Sequence, residues 1–296
     1  MRRSIVAGVT AVAVVATGLA VTGILGSARP AAAALGDVPS DCKSWTTAYR
    51  SDGQRLSYNY SARKTITKAI VDDKLGWVPT GLAAGAESGS DDNYASASLV
   101  THPTDGQLYY LHRVVQRIDG VEKVTKLTTT SLAAGFEGTR ILADGPFPYY
   151  YRVAGNSLYR FQTTFGQEGP PISTPVKLSG DWGTVNTLRY QRTGGTADAP
   201  VHVLFGTTSD GQLLEWRIPV TDPATITTKV LQATGWEEFT SLTQGSCASR
   251  PNGRLLLGIK PGGRVALRFD ANAKDGKGTD FKGGSLGSVG WTEKAY

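Results

Sequence analysis

Five glycines, Gly53, Gly106, Gly155, Gly211 and Gly263, each stand in a tight turn just before a β-prone run, at intervals of 53, 49, 56 and 52 residues. The turns read Asp52-Gly53, Asp105-Gly106, Gly155-Asn156, Asp210-Gly211 and Gly262-Gly263. Such dipeptides supply the positive φ angles of short hairpins, so each marks a hairpin tip. A second landmark follows each turn: Gly76-Trp77, Gly135-Phe136, Asp181-Trp182, Gly235-Trp236 and Gly290-Trp291. Its aromatic trails the turn glycine by 24, 30, 27, 25 and 28 residues. The first copy fits least well, with Leu56 one place late. Two markers keeping step at a period near 50, with several short strands per unit, predict propeller blades.

One unit lays out as a first strand from Trp236 to Cys247, a second from Arg254 to Lys260 and a third from Arg264 to Asp270, with a weaker fourth near Asp280 to Lys282. Another lays out as Phe136 to Gly145, Pro148 to Val153, Ser157 to Phe165 and Pro175 to Leu178. No helical period appears after the N-terminal segment. Sheets that cannot bury their apolar faces alone must stack around an axis. The chain opens, after its leader, on a second strand (Ser44 to Arg50) and ends on a first strand (Gly290 to Tyr296). The expected fold is therefore all-β: a single five-bladed β-propeller over residues 35–296, four antiparallel strands per blade, closed when the C-terminal strand joins the N-terminal blade.

Met1-Arg2-Arg3, an uncharged apolar stretch from Ile5 to Gly26, Pro30 and the small residues Ala31 to Ala34 read as a secretory signal over residues 1–34, cleaved after Ala34. An uncleaved anchor is the rival, because the apolar run is nearly long enough to span a bilayer. A lipoprotein fits poorly, since Cys42 follows Asp41. Cleavage removes Arg2, Arg3 and Arg29 and takes the formal charge from +6 to +3 over 262 residues. That balance, with no block of Lys or Arg, argues against a nucleic-acid partner. The mature chain is expected to be a secreted monomer without a membrane segment. In an oxidising compartment Cys42 and Cys247 are most simply a disulfide, two free buried thiols being the alternative. Cys42 precedes a second strand and Cys247 ends a first strand in the adjoining blade, so a bridge would staple the seam.

Gly235 to Leu242, Asn252-Gly-Arg-Leu-Leu, and Gly263 to Phe269, together with Asp105-Gly-Gln-Leu-Tyr and Asn156-Ser-Leu-Tyr-Arg-Phe, resemble the repeat of the tachylectin-type five-bladed propeller lectins. The resemblance spans the whole mature chain and rests on the Gly-Trp and Gly-x-Leu-Tyr landmarks; Asp181 and Phe136 depart from the first of these. It implies binding of N-acetylated amino sugars in crevices between neighbouring blades, without a cofactor.

The candidate ligand-binding residues are the repeat aromatics Trp77, Phe136, Trp182, Trp236 and Trp291. Each could stack on a sugar ring in a glycan or polysaccharide, or wedge between adjacent sheets. A glycoside hydrolase is the catalytic alternative, because Glu137, Glu237 or Glu238, and Glu293 follow the aromatic in three units. Two carboxyls across a scissile bond are what such chemistry needs. A protein-binding scaffold is the third reading. His102, His112 and His202 lack metal-ligand spacing, and no Ser sits in a G-x-S-x-G elbow. Asp270 to Gly276 only partly matches a calcium loop, with Lys274 in a ligand place, and Glu87 to Asn93 is an acidic Ser/Gly loop. No metal or cofactor is expected.

Overall fold

The computed structural model describes residues 35–163 and 169–296. The expected leader over residues 1–34 lies outside them, as does Phe165 at the end of one expected strand. The described chain is all-β.

Backbone pairing joins twelve strands into one continuous sheet and the other eight into two sheets of four. The large sheet consists of three four-strand segments linked through the Cys42↔Cys247 and the parallel Val71↔Lys123 pairings, and these with the two smaller sheets are called the first to fifth sheets in chain order. In the first, β1 (Cys42–Tyr49) pairs with β2 (Gln54–Ser61), and β2 with β3 (Lys64–Lys74). The second runs through β4 (Gly81–Gly89), β5 (Asn93–Thr101), β6 (Leu108–Ile118) and β7 (Val121–Ala133). The third is β8 (Thr139–Asp144), β9 (Tyr149–Ala154), β10 (Ser157–Gln162) and β11 (Val176–Lys177). The fourth comprises β12 (Arg189–Gly195), β13 (Pro200–Thr207), β14 (Leu213–Pro219) and β15 (Thr227–Gln232). The fifth is β16 (Ser241–Cys247), β17 (Arg254–Lys260), β18 (Arg264–Asp270) and β19 (Ser285–Ser288). Finally β20 (Lys294–Ala295) returns to β1 through Ala48↔Ala295 and Tyr49↔Lys294, giving the first set its fourth strand.

The expected β17 and β18 match in both bounds. The fourth strand of that unit does not. It lies at Ser285–Ser288, and the expected segment contributes only an isolated bridge, Phe269↔Lys282. The β18–β19 register shifts between Val265 and Ala266, and Gly283 (φ 117) redirects the chain before the pairing starts.

The two sequence landmarks keep step because they are bonded to each other. The Gly106, Asn156 and Gly211 carbonyls accept from the N–H groups of Phe136 (2.8 Å), Trp182 (3.1 Å) and Trp236 (3.1 Å). In the first and last units the donors are Leu75 to Gly53 and Val289 to Gly263, each two residues before the tryptophan and each at 3.0 Å. Gly53 has φ 82, and a Cβ there would lie 1.8 Å from the Leu75 oxygen, so only glycine fits this tip.

The apolar cores lie between successive sheets. Phe136 packs with Leu99 and Leu108 of the second sheet and Phe161 of the third. Trp182 does the same for the third and fourth, tilted on Trp216 at 5.0 Å. Trp236 sits between Phe205 and Leu213 of the fourth sheet and Leu256 of the fifth. Trp291 stacks on Tyr58 of β2 at 4.6 Å within a cluster that also holds Leu257 and Val265, joining the fifth sheet to the first. Trp77 packs against a smaller cluster of Tyr49, Leu75, Leu82 and Val100. Burying such side chains stabilises by about 1.5–3 kcal/mol each.

Cys42 and Cys247, directly opposed on β1 and β16, are joined by a disulfide, so the bridged reading replaces that of two free thiols. A small, half-open pocket, called the channel below, is lined by residues 80–82, 140–142, 186–189, 240–242 and 294–296.

Candidate functional site

The strands of the first sheet alternate strictly enough to sort their side chains. Along β2, Leu56, Tyr58 and Tyr60 turn to the core, which sends Arg55, Ser57 and Asn59 to the opposite face. On β1 the same alternation buries Ser44 and Thr46 and leaves Trp45 between them 61% exposed. Trp45 lies directly across from Asn59. Indole, amide, hydroxyl and guanidinium therefore form one wall.

The second sheet supplies the other wall. The β4–β5 register shifts between Ala84 and Glu87, a bulge that tips the end of the hairpin. Gly89 (φ 127) allows the tight return, since a Cβ there would sit 2.3 Å from the Asn93 oxygen. The acidic Ser/Gly loop read from sequence thus becomes a rim. Together the walls enclose a cleft of about 410 Å³, with Trp45, Asn59 and Ser57 on one side and Glu87, Asp91 and Tyr94 on the other. Ile70 and Arg55 also line it, as do Arg117 and Glu122.

Electrostatics fix some of these groups and leave others available. Arg55 donates to Asp73 Oδ2 (3.0 Å), as does Arg113 Nε (2.8 Å), and Asp73 and Arg113 are both buried where the first and second sheets meet. Arg113 also donates to the Tyr49 hydroxyl at 2.6 Å. Arg117 is held by Glu122 at 3.0 Å. Burial raises the Tyr94 phenol above its ordinary value, so it stays protonated and can donate. The cleft combines one open aromatic face with donors and acceptors around it, which is the composition that holds a small polar ring.

The sequence-derived aromatics are placed differently. Phe136, Trp182, Trp236 and Trp291 are each no more than 2% exposed, which leaves them no face for a ligand. Trp77 is half-buried, edge-on to His102 at 4.6 Å and 5.6 Å from Tyr109. Trp45 stands outside the repeat register, so the repeat does not point to it. The readable signal was an aromatic on the outward phase of a strand whose neighbours point in.

The carboxylates do not assemble. Glu238 accepts from Lys260 (3.3 Å) and Arg264 (3.1 Å), which hold its carboxyl below the ordinary range. A general acid for glycoside hydrolysis needs the opposite shift. Glu293 takes the Tyr58 hydroxyl and lines an open hollow with Arg50 and Asp52. Glu237 accepts from its own Gly235 N–H, and Glu137 abuts Gly106. Glu137, Glu237 and Glu238 line neither that hollow, the cleft nor the channel.

The histidines stand apart. His202 is buried with Nδ1 2.5 Å from the Tyr151 hydroxyl, and desolvation, aided by Arg160, lowers it to about 4. His102 Nδ1 accepts from the N–H groups of Thr104 and Asp105, and His112 stacks on Tyr110. Asp270, first in the calcium-like loop, is buried against Arg254 at 2.9 Å. Among the described residues no three His, Cys, Asp or Glu side chains gather as a metal-ligand set.

No family model and no curated protein matches the chain. Among solved structures it is similar to the BP39L lectin from Burkholderia pseudomallei, at 11% identity, covering 78% of each chain with a TM-score of 0.40. It is also similar to the periplasmic gluconolactonase PpgL from Pseudomonas aeruginosa, at 11% identity, covering 86% of this chain and 97% of that one with a TM-score of 0.33. Likenesses this distant carry no argument about the site.

Proposed function

We propose that this chain is a secreted, five-bladed propeller that binds glycan without catalysis, in the cleft between its first two blades. The observation that carries the reading is Trp45, whose ring stands open in a cleft lined mostly by polar side chains. A pyranose offers C–H groups on one face and hydroxyls at its edge, and this wall offers an indole beside Asn59, Ser57 and Arg55. Amino sugars are the favoured class.

The blade count is supported by the two separate four-stranded sheets and the three four-strand segments of the larger one, by the buried aromatics between successive segments, and by the pocket to which all five contribute. Closure is supported by β20 on β1 and by Trp291 on Tyr58. Export with removal of residues 1–34 agrees with the disulfide, which persists only in an oxidising compartment. The four buried repeat aromatics then act as wedges that hold the blades in place, and the mature protein works as a monomer.

A glycan array probed with residues 35–296 tests the function. Binding to amino-sugar glycans is expected, and it should be lost in Trp45→Ala. Binding to no glycan would overturn the lectin reading in favour of a protein-binding scaffold. Release of sugar from a bound glycan would favour the hydrolase.

A further inference from the structure

Three cationic side chains line one pocket, and among the described residues none has an anionic partner within 4.0 Å. Arg140, Arg189 and Lys294 all line the channel, yet none takes part in an ion pair. They are held by backbone carbonyls instead. Arg140 donates to Val185 O (2.9 Å), Trp182 O (2.8 Å) and Gly155 O (3.1 Å). Lys294 Nζ donates to Pro79 O (2.9 Å) and Thr80 O (2.7 Å). Arg189 uses only Nε, on Leu242 O at 2.7 Å, which leaves both terminal nitrogens of its guanidinium uncommitted.

Asp144 acts on Arg189 only at a distance. Desolvation lowers all three cations, Lys294 to about 8, as expected for positive groups removed from water without a counter-charge. Ser241, 4% exposed and also lining the channel, has a hydroxyl with no hydrogen-bond partner. A buried hydroxyl without a partner is costly, and a guanidinium with free N–H donors and no counter-charge beside it favours an anion.

We propose that the channel between the five sheets is a binding site for one small oxyanion, held by the Arg189 guanidinium fork with Lys294 and Arg140 supplying charge. Planar guanidinium forks match carboxylate, phosphate and sulfate through paired N–H···O bonds. The channel's volume of about 70 Å³ sets the size of the ligand. At about 10–15 Å³ per water it holds on the order of five waters, enough for a tetrahedral oxyanion or a short carboxylate. Such an anion would neutralise charge contributed by three of the sheets and so tie them together, independently of whatever occupies the cleft at Trp45.

Equilibrium dialysis of residues 35–296 against radiolabelled phosphate, sulfate and acetate, in separate arms, tests this. One saturable site is expected, and the arm that binds most tightly identifies the oxyanion class. Arg189→Gln should weaken it at least about tenfold, as losing a charge-assisted bidentate pair does, and Lys294→Gln by a smaller factor. Trp45→Ala should leave it unchanged. If Arg189→Gln fails to fold by circular dichroism, Lys294→Gln decides. No saturable binding in any arm, or affinity unchanged in the folded variants, would overturn the proposal.

Discussion

At the scale of single residues, Trp45 separates binding from stability. Its ring is 61% exposed and belongs to no core cluster, so Trp45→Ala should shift the thermal midpoint by no more than about 1–2 °C, in line with surface substitutions generally. The same change should weaken glycan binding at least tenfold, about 1.4 kcal/mol, as read by titration calorimetry. Asp73 is the converse case. It is fully buried, holds Arg113 and Arg55 together, and fixes the floor of the cleft from below. Asp73→Asn removes the charge that two arginines share. Breaking one side of such a buried pair costs about 3–5 kcal/mol, and urea denaturation should register it.

His202 makes the chain acid-sensitive. Its folded value of about 4 lies below the ordinary 6.5, so between those values the unfolded chain binds more protons than the folded one. Stability is therefore complete above about pH 6.5 and falls as pH drops toward 4, by up to about 3 kcal/mol at 1.36 kcal/mol per unit. Urea midpoints measured across that window should fall in the wild type, and more shallowly in His202→Gln.

At the scale of elements, the hairpin tips carry the fold. Gly53→Ala would force a Cβ against the Leu75 oxygen at a φ that side chains avoid, and a loss of about 2 kcal/mol or more is expected in chemical denaturation. These tips were legible because turn chemistry is local: Asp-Gly and Gly-Gly specify their backbone wherever they occur. The second and third strands, Arg254–Lys260 and Arg264–Asp270, were legible for a related reason, being apolar runs bounded by such turns. The outer strand of the last unit was not: β19 has no buried residue, so its apolar pattern is weak, and it lies at Ser285–Ser288 rather than at the expected Asp280 to Lys282, whereas β11 (Val176–Lys177) falls inside the expected Pro175 to Leu178. The cleft was unreadable on different grounds. Trp45 stands on β1 and Glu87 on β4, strands that are not neighbours in the pairing order, and only the packing of one unit on the next brings them together.

At the scale of the whole molecule, the first and last described strands pair within one sheet. β1 takes β2 on one edge and β20 and β16 on the other, and the Cys42–Cys247 bridge joins strands 205 residues apart. Replacing both cysteines by serine should lower stability by about 2–5 kcal/mol, measured as the change in urea midpoint under non-reducing conditions. Glycan affinity should persist in that variant while it remains folded, because the cleft lies between the first and second sheets and the bridge joins the first to the fifth.

The central claim is that glycan binds at Trp45 rather than at the aromatics that mark the repeat. The six tryptophans provide six indole N–H reporters, of which only Trp45 is largely open while Trp182, Trp216, Trp236 and Trp291 are buried. Titrating an amino-sugar glycan selected on the array into ¹⁵N-labelled protein, and following the indole resonances, addresses the claim directly. The predicted result is a saturable shift of the Trp45 indole, with the four buried indoles unmoved. Saturable shifts of the Trp182, Trp236 and Trp291 indoles with Trp45 unchanged would contradict it.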